Sequence, residues 1–320
     1  MMRIHPLKMI LLMNALMLKP VVAMNSTNTA RPADLPFSPF FEFMDDGIIG
    51  IDGQIYDIIR PIKVGAFGTV FEAIAVLSDG TTKKVAIKLI TPEPEADTKR
   101  KNELFQKAEK EIKMLNDLKD SVNVVTIFKS EAKGSSVAIV MEYCTSDLYD
   151  WVLTWYPSHK FRVHPYTVLH DFVPFLSNAI QQMRAQQIVH FDIKTTNILR
   201  CGDVWKVADF DLAEYVIDGG RHVDSRGSRC FTDPDVKKRG GGIATPRTDL
   251  YSVGATLYTL VEGREYEGLR PRQQHFLESV SRHPWEGLEK LVQKLLKKEF
   301  KSLENFYDEA REISRGSTGP

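Results

Sequence analysis

His190-Phe191-Asp192-Ile193-Lys194-Thr195-Thr196-Asn197, followed seventeen positions after Asp192 by Asp209-Phe210-Asp211, is the stretch on which the reading of this chain turns. Each of the two polar sets is flanked by apolar segments with the pattern of strands or helices. Acids, a lysine and an amide are thus held at the edge of a buried framework.

Two weaker signals lie upstream. Gly65-Ala66-Phe67-Gly68-Thr69-Val70 sits between two strand patterns, where a glycine turn can fold backbone N–H groups over phosphates or simply close a hairpin. Twenty residues on, Val85-Ala86-Ile87-Lys88 ends an apolar strand on a lysine, which alone would read as a solvated edge residue.

Strand patterns cover Tyr56 to Ile59, Val70 to Val76 and Lys84 to Ile90, with a turn at Ser78-Asp79-Gly80 joining the last two as a hairpin. From Thr98 to Leu118 the period becomes helical, with Leu104, Ala108, Ile112, Leu115 and Leu118 on one stripe. Strands follow near Val124 to Lys129 and Val137 to Glu142. Beyond Cys144 the apolar stretches Phe172 to Arg184, Leu250 to Glu262 and Leu288 to Phe300 have the length and spacing of buried helices. A strand-rich first part and a helix-rich second part predict an α+β fold of two lobes with a cleft between them.

The 320 residues are 43% hydrophobic and 26% charged, enough for one large core or two modest ones. Forty-two basic residues balance 42 acidic ones, which gives no global reason to expect nucleic acid or an anionic membrane as partner. Cys144, Cys201 and Cys230 are far apart, with no zinc-type spacing, and are expected to be free thiols. The N-terminus has a weakly basic start, an apolar run from Met9 to Leu18 and small residues at Val21-Val22-Ala23. That is the three-part pattern of a signal peptide over 1–23, and the run is too short to span a bilayer. The absence of acids before Asp34 leaves organellar import as the alternative. Residues 24–54, rich in Pro, Ser and Thr, read as a linker or arm in which Phe37, Phe40, Phe41 and Phe43 stand out.

Taken in order, these motifs resemble those of the eukaryotic protein kinase family over residues 55–306, divided into a small β-rich N-lobe, 55–143, and a larger helical C-lobe, 144–306, with a tail at 307–320. The resemblance implies ATP and Mg²⁺ as cofactors and a protein with Ser or Thr acceptors as partner. It implies that Lys88 holds the α- and β-phosphates and that Glu111 is its helix partner. Asp192 matches the residue that accepts the substrate hydroxyl proton, Lys194 the one that neutralises the transferring group, and Asn197 and Asp209 the metal ligands. Lys194 and Ser228, which matches a hydroxyl bridging Asp192 and Lys194, are typical of Ser/Thr-directed members. Gly65 and Gly68 belong to the phosphate loop. Val70 and Ala86 above and Leu199 below frame the adenine slot, with Met141 as gatekeeper and Glu142 and Cys144 as the hinge. Leu115, Ile127, His190 and Phe210, anchored on Asp249, match the family's internal spine.

Four positions depart from the pattern. Lys63 replaces the first glycine of the loop, which should stiffen it. Phe191 replaces the arginine that normally meets a phosphorylated activation segment, so Asp192 is not expected to be switched that way. Asp211 replaces a hinge glycine and adds charge near the metal ligands. Asp233-Pro234-Asp235 stands where Ala-Pro-Glu is usual, and Glu299-Phe300-Lys301 lacks the arginine that would pair with it. The segment between Glu262 and Leu288 is also short, which reads as a trimmed substrate-docking region. An active Ser/Thr kinase is the first reading. A pseudokinase that serves as a binding scaffold is the second, and a small-molecule kinase the third. With the N-terminal pattern, the expected location is the secretory pathway or the exterior, including export as an effector. A monomer is assumed.

Overall fold

Short apolar runs bounded by turn residues build the first lobe of the computed structural model, which describes residues 44–45, 48–65, 67–93, 95–156, 162–263 and 286–316. The leader-like run 1–23, the four phenylalanines and the shortened segment 264–285 lie outside the described residues. Seven antiparallel strands form one sheet: β1 (Met44–Asp45), β2 (Ile48–Ile51), β3 (Gln54–Gly65), β4 (Gly68–Val76), β5 (Thr82–Ile90), β6 (Ile127–Lys133) and β7 (Ser136–Glu142), in the order β1-β2-β3-β4-β5-β7-β6.

The two-residue period of a strand sorts β5 and β7 onto two faces. Val85, Ile87 and Leu89 with Ala138 and Val140 join Ile49, Ile51, Tyr56 and Phe71 in one cluster. Ile90 with Val137, Ile139 and Met141 joins the main core on the other side, against helix α1 (Thr98–Asp117). Lys88 falls on that second face, toward α1. Asp97 caps the helix, its Oδ1 accepting from Arg100 N at 2.7 Å, and Leu104, Ala108, Glu111, Met114 and Leu115 are its buried positions.

The sheet begins before residue 55. Ile49 and Ile51 are fully buried while Ile48 and Gly50 are exposed, so a half-buried strand was hidden inside the stretch read as linker. A fold boundary at 306 is likewise too early. The last helix runs Leu303–Gly316, burying Leu303, Phe306 and Ala310 at helical spacing, and Ser314 Oγ donates to the Leu169 carbonyl at 3.2 Å.

The second lobe is helical. Helix α2 (Leu148–Trp155) follows the hinge, and α3 (Val173–Ala185) continues a π-helical turn at Val168–Phe172. Helices α4 (Pro234–Lys237), α5 (Thr248–Glu262), α6 (Glu286–Leu296) and α7 (Leu303–Gly316) complete it. Helix α5 is buried on nearly every side, from Thr248 to Leu260, and forms the axis of the lobe. Short strands Ile198–Cys201 and Val204–Val207 pair antiparallel in the stretch between Asp192 and Asp209. Among the described residues no helix is long and apolar enough to cross a membrane.

Candidate active site

The hairpin of β3 and β4 closes with Gly65 opposite Gly68. Gly68 has φ of +156°, and a Cβ there would strike the Leu89 carbonyl oxygen, so this position needs glycine. Gly65 has no such constraint, since an added Cβ would meet only ordinary contact. Lys107 on α1 places its Nζ 4.4 Å from the centre of the Phe67 ring at the hairpin tip.

Beneath the hairpin, Lys88 Nζ donates to both carboxylate oxygens of Glu111 at 2.8 Å. Both residues are buried, so the strand and the helix are tied by an ion pair whose loss of one partner would cost about 3–5 kcal/mol. Lys88 also contacts Asp211 Oδ1 at 2.5 Å and lies 3.9 Å from Asp209 Oδ1. Burial works against the Lys88 charge, but Glu111, Asp211 and Asp209 outweigh it and hold its pKa above the usual lysine range. Asp211 is pushed up to about 8, first by burial and then by the charge of Glu111. The contacts of Asp211 were not foreseen, because they depend on the folded proximity of residues 123 positions apart.

Asp192 lies at the centre of a second network. Its Oδ1 accepts from Ser228 N at 2.9 Å and Ser228 Oγ at 2.7 Å. Its Oδ2 accepts from Lys194 Nζ at 2.7 Å and Asn197 Nδ2 at 2.9 Å, and Lys194 Nζ also donates to Ser228 Oγ at 2.7 Å. Burial raises the carboxyl pKa, but Lys194 and Ser228 reverse that and leave it below the usual value. Ser228 reaches this place because Gly227 has φ of +82°, and a side chain there would collide with Thr232 and the Phe191 carbonyl.

The loop carrying Asp192 hangs from Asp249, which accepts from His190 N at 2.7 Å and Phe191 N at 2.9 Å. The His190 ring accepts from Asp192 N through Nδ1 at 3.2 Å and faces the Ala208 carbonyl through Nε2 at 3.1 Å, which assigns the proton to Nε2. It stands edge-on to Phe210, ring centres 4.7 Å apart, and Leu115, Ile127 and Phe210 are buried in the same core. Phe191 and Asp209 hold φ of +68° and +71°, two strained backbone positions at this site.

Asn197 and Asp209 present two oxygens to one cation. Lys63 Nζ lies 3.1 Å from Asn197 Oδ1 and 3.0 Å from Asp209 Oδ2, so the convergence that a divalent ion needs is present, with an ammonium standing in for it. Burial opposes the charge of Asp209, yet Lys88 and Lys63 hold its carboxyl below the ordinary range. The expectation that Lys63 only stiffens the loop missed this contact.

Met141 pairs with Ala86 across β7 and β5, and Val70 lies on β4. Leu199 lies on Ile198–Cys201, opposite Asp147. The Glu142 carboxylate is fixed by Thr126 N and Lys206 Nζ, each at 2.6 Å. Cys144 and Cys201 are not free thiols; they form a disulfide, because pairing of Ser146–Asp147 with Leu199–Arg200 brings the two cysteines together across 57 positions. Cys230 lies outside this disulfide. The missing arginine after α6 is also replaced: Lys298, at φ of +60°, donates to Asp233 at 3.0 Å and pairs with Asp235.

Residues 56–315 match the family model described as protein kinase domain. Serine/threonine-protein kinase PrkC of Bacillus subtilis is 31% identical over 213 residues, 65% of this chain and 30% of that protein. Sucrose non-fermenting protein kinase 1 of Fusarium virguliforme is 28% identical over 237 residues, 73% of this chain and 31% of that protein. Serine/threonine-protein kinase unc-51 of Caenorhabditis elegans is 30% identical over 67% of this chain and 25% of its own length. The chain thus spans about a third or less of the length of these curated relatives.

Proposed function

The chain belongs to the protein kinase family, and from that premise we propose that it transfers the γ-phosphoryl group of ATP to Ser or Thr hydroxyls of a protein substrate. The observation that carries the reading is the single network of Asp192, Lys194, Ser228 and Asn197 beside the buried Lys88–Glu111 pair. In this reading the acceptor hydroxyl oxygen forms a bond to the γ-phosphorus, the bond from phosphorus to the oxygen of ADP breaks, and the hydroxyl proton passes to Asp192. Lys194 offsets charge on the transferring group, and Lys88, oriented by Glu111, takes the α- and β-phosphates.

Asn197 and Asp209 would hold Mg²⁺, which when bound supplies positive charge to the phosphate oxygens. Val70, Ala86, Met141 and Leu199 take the adenine, with the backbone of Glu142 and Cys144 as its polar edge. Gly65 and Gly68 let the hairpin approach the phosphates. Two of the relatives named above, those of Bacillus subtilis and Caenorhabditis elegans, are Ser/Thr kinases by name, which supports the choice of acceptor.

The secretory pathway or the exterior is the proposed location. The leader-like pattern and the Cys144–Cys201 disulfide, a bond that persists in oxidising compartments, support it. A scaffold that binds partners without transferring phosphate is the second reading. It is favoured by Asp211 on Lys88 and Lys63 on Asp209, which engage inside the chain two groups that nucleotide and metal would use.

Incubation of the purified full chain with Mg·ATP and a generic protein acceptor, with mass spectrometry of the acceptor, separates the readings. Phosphoserine and phosphothreonine are expected, and their absence with Asp192→Ala. Phosphotyrosine alone would refute the acceptor class. Equal inactivity of both chains, with ATP still raising the Tm, would establish the scaffold.

A further inference from the structure

Lys63 sits on β3 opposite Val70, two positions before the hairpin loop, and reaches across to residues 134 and 146 positions away. Its targets have little freedom to turn elsewhere. Asn197 Nδ2 donates to the Asp192 carbonyl at 3.0 Å and to Asp192 Oδ2 at 2.9 Å, which commits its Oδ1 to the side where Lys63 lies. Asp209 Oδ1 faces Lys88, leaving Oδ2 for Lys63. An ammonium is a compact charge with three donors, and it satisfies the same pair of acceptors as a hard divalent ion. The Lys63 side chain is 46% exposed, so its flexible stem has solvent into which it can withdraw.

We propose that Lys63 is a resident cation of the metal site: without nucleotide its ammonium occupies Asn197 and Asp209, and a divalent ion binds there only by displacing it. The proposal rests on the reading of Asn197 and Asp209 as metal ligands. Displacement makes the empty chain a poor metal binder and couples metal entry to release of the β3 lysine. A partly exposed ion pair of this kind changes a competing equilibrium by about 1.5- to five-fold.

The test uses the full chain and Mn²⁺ alone, with free Mn²⁺ read by electron paramagnetic resonance. Lys63→Met is expected to bind Mn²⁺ about 1.5- to five-fold more tightly than wild type, and Asp209→Asn more weakly. In parallel, trace acetylation with acetic anhydride reads the reactivity of Lys63 itself. It should rise on addition of Mn²⁺ to wild type and rise in Asp209→Asn without metal. Equal Mn²⁺ affinity of wild type and Lys63→Met, with Asp209→Asn still weaker, would overturn displacement and leave the metal site standing. Mn²⁺ binding unchanged in Asp209→Asn would overturn both. Lys63 reactivity that responds to neither Mn²⁺ nor Asp209→Asn would overturn the proposal whatever the metal affinities.

Discussion

Lys88 is shared among Glu111, Asp211 and, at longer range, Asp209. Burial and the charges of Glu111 and Asp209, which Lys88 offsets only in part, push Asp211 up to about 8. Between the ordinary aspartate range near pH 4 and about pH 8 the folded chain keeps a proton that the unfolded chain has released. Stability therefore falls as pH rises through that window, and the contribution is gone above it. Thermal melts should show the Tm dropping more steeply from pH 5 to 8.5 in wild type than in Asp211→Asn; identical slopes would contradict the assignment. Phe191 makes the opposite point about a departure from the family pattern. It is fully buried with Val189, Val216, Val223, Val236 and Ala244, under the Arg226 guanidinium at 5.5 Å. Restoring the family arginine by Phe191→Arg would bury a charge among valines and against another cation. A loss of at least about 3 kcal/mol is expected in urea unfolding, and a change below 1 kcal/mol would show that the site tolerates the charge.

At the scale of elements, apolar packing around Phe191 is joined by an ion cluster on Glu214. Its carboxylate takes Lys110 Nζ and Arg226 Nη1 on Oε1 at 2.8 and 2.7 Å, and Arg221 on Oε2 at 3.2 Å. Helix α1, and with it Glu111, is thereby fastened to the segment that leads to Ser228 without any added phosphate. Glu214→Ala should cost about 1–2 kcal/mol, discounted for the partial exposure of its cationic partners, and should raise amide hydrogen exchange over 221–228. Unchanged exchange there would remove the cluster from this role. Lys298 performs a similar service lower down, between α6 and α4, and Lys298→Ala is expected to cost about 1 kcal/mol in the Tm-derived stability. The helices α1, α3, α5 and α6 were legible from their three-to-four spacing, and β4, β5 and β7 from short apolar runs bounded by turn residues. The partners of Lys63, Asp211 and Lys298 were not, because each contact closes across 63 to 146 positions and exists only once both elements are placed.

For the whole molecule, the candidate site residues were more legible than the boundaries. Asp192, Lys194, Asn197, Asp209 and Ser228 have identities and spacings set by chemistry, and the fold gathers them into linked networks. Boundaries are set by where burial stops. A two-residue alternation at Ile49 and Ile51 and a helical stripe from Leu303 to Ala310 were too short or too near the ends to outweigh their polar neighbours. The cysteines were misread because spacing carries no signal for two thiols brought together by strand pairing. Non-reducing peptide mapping should recover Cys144 linked to Cys201, with Cys230 alone open to alkylation; three alkylated cysteines in the native chain would contradict the link. All these features serve one claim, that the cleft transfers phosphate. The most direct measure is the rate of γ-phosphoryl transfer from Mg·ATP to a serine-containing protein acceptor by wild type and Asp192→Asn. The rate should fall by about 10² to 10⁴ in the variant, the range set by loss of a positioned proton acceptor. Equal rates in the two chains would show that Asp192 takes no part and that the cleft is not the site of transfer.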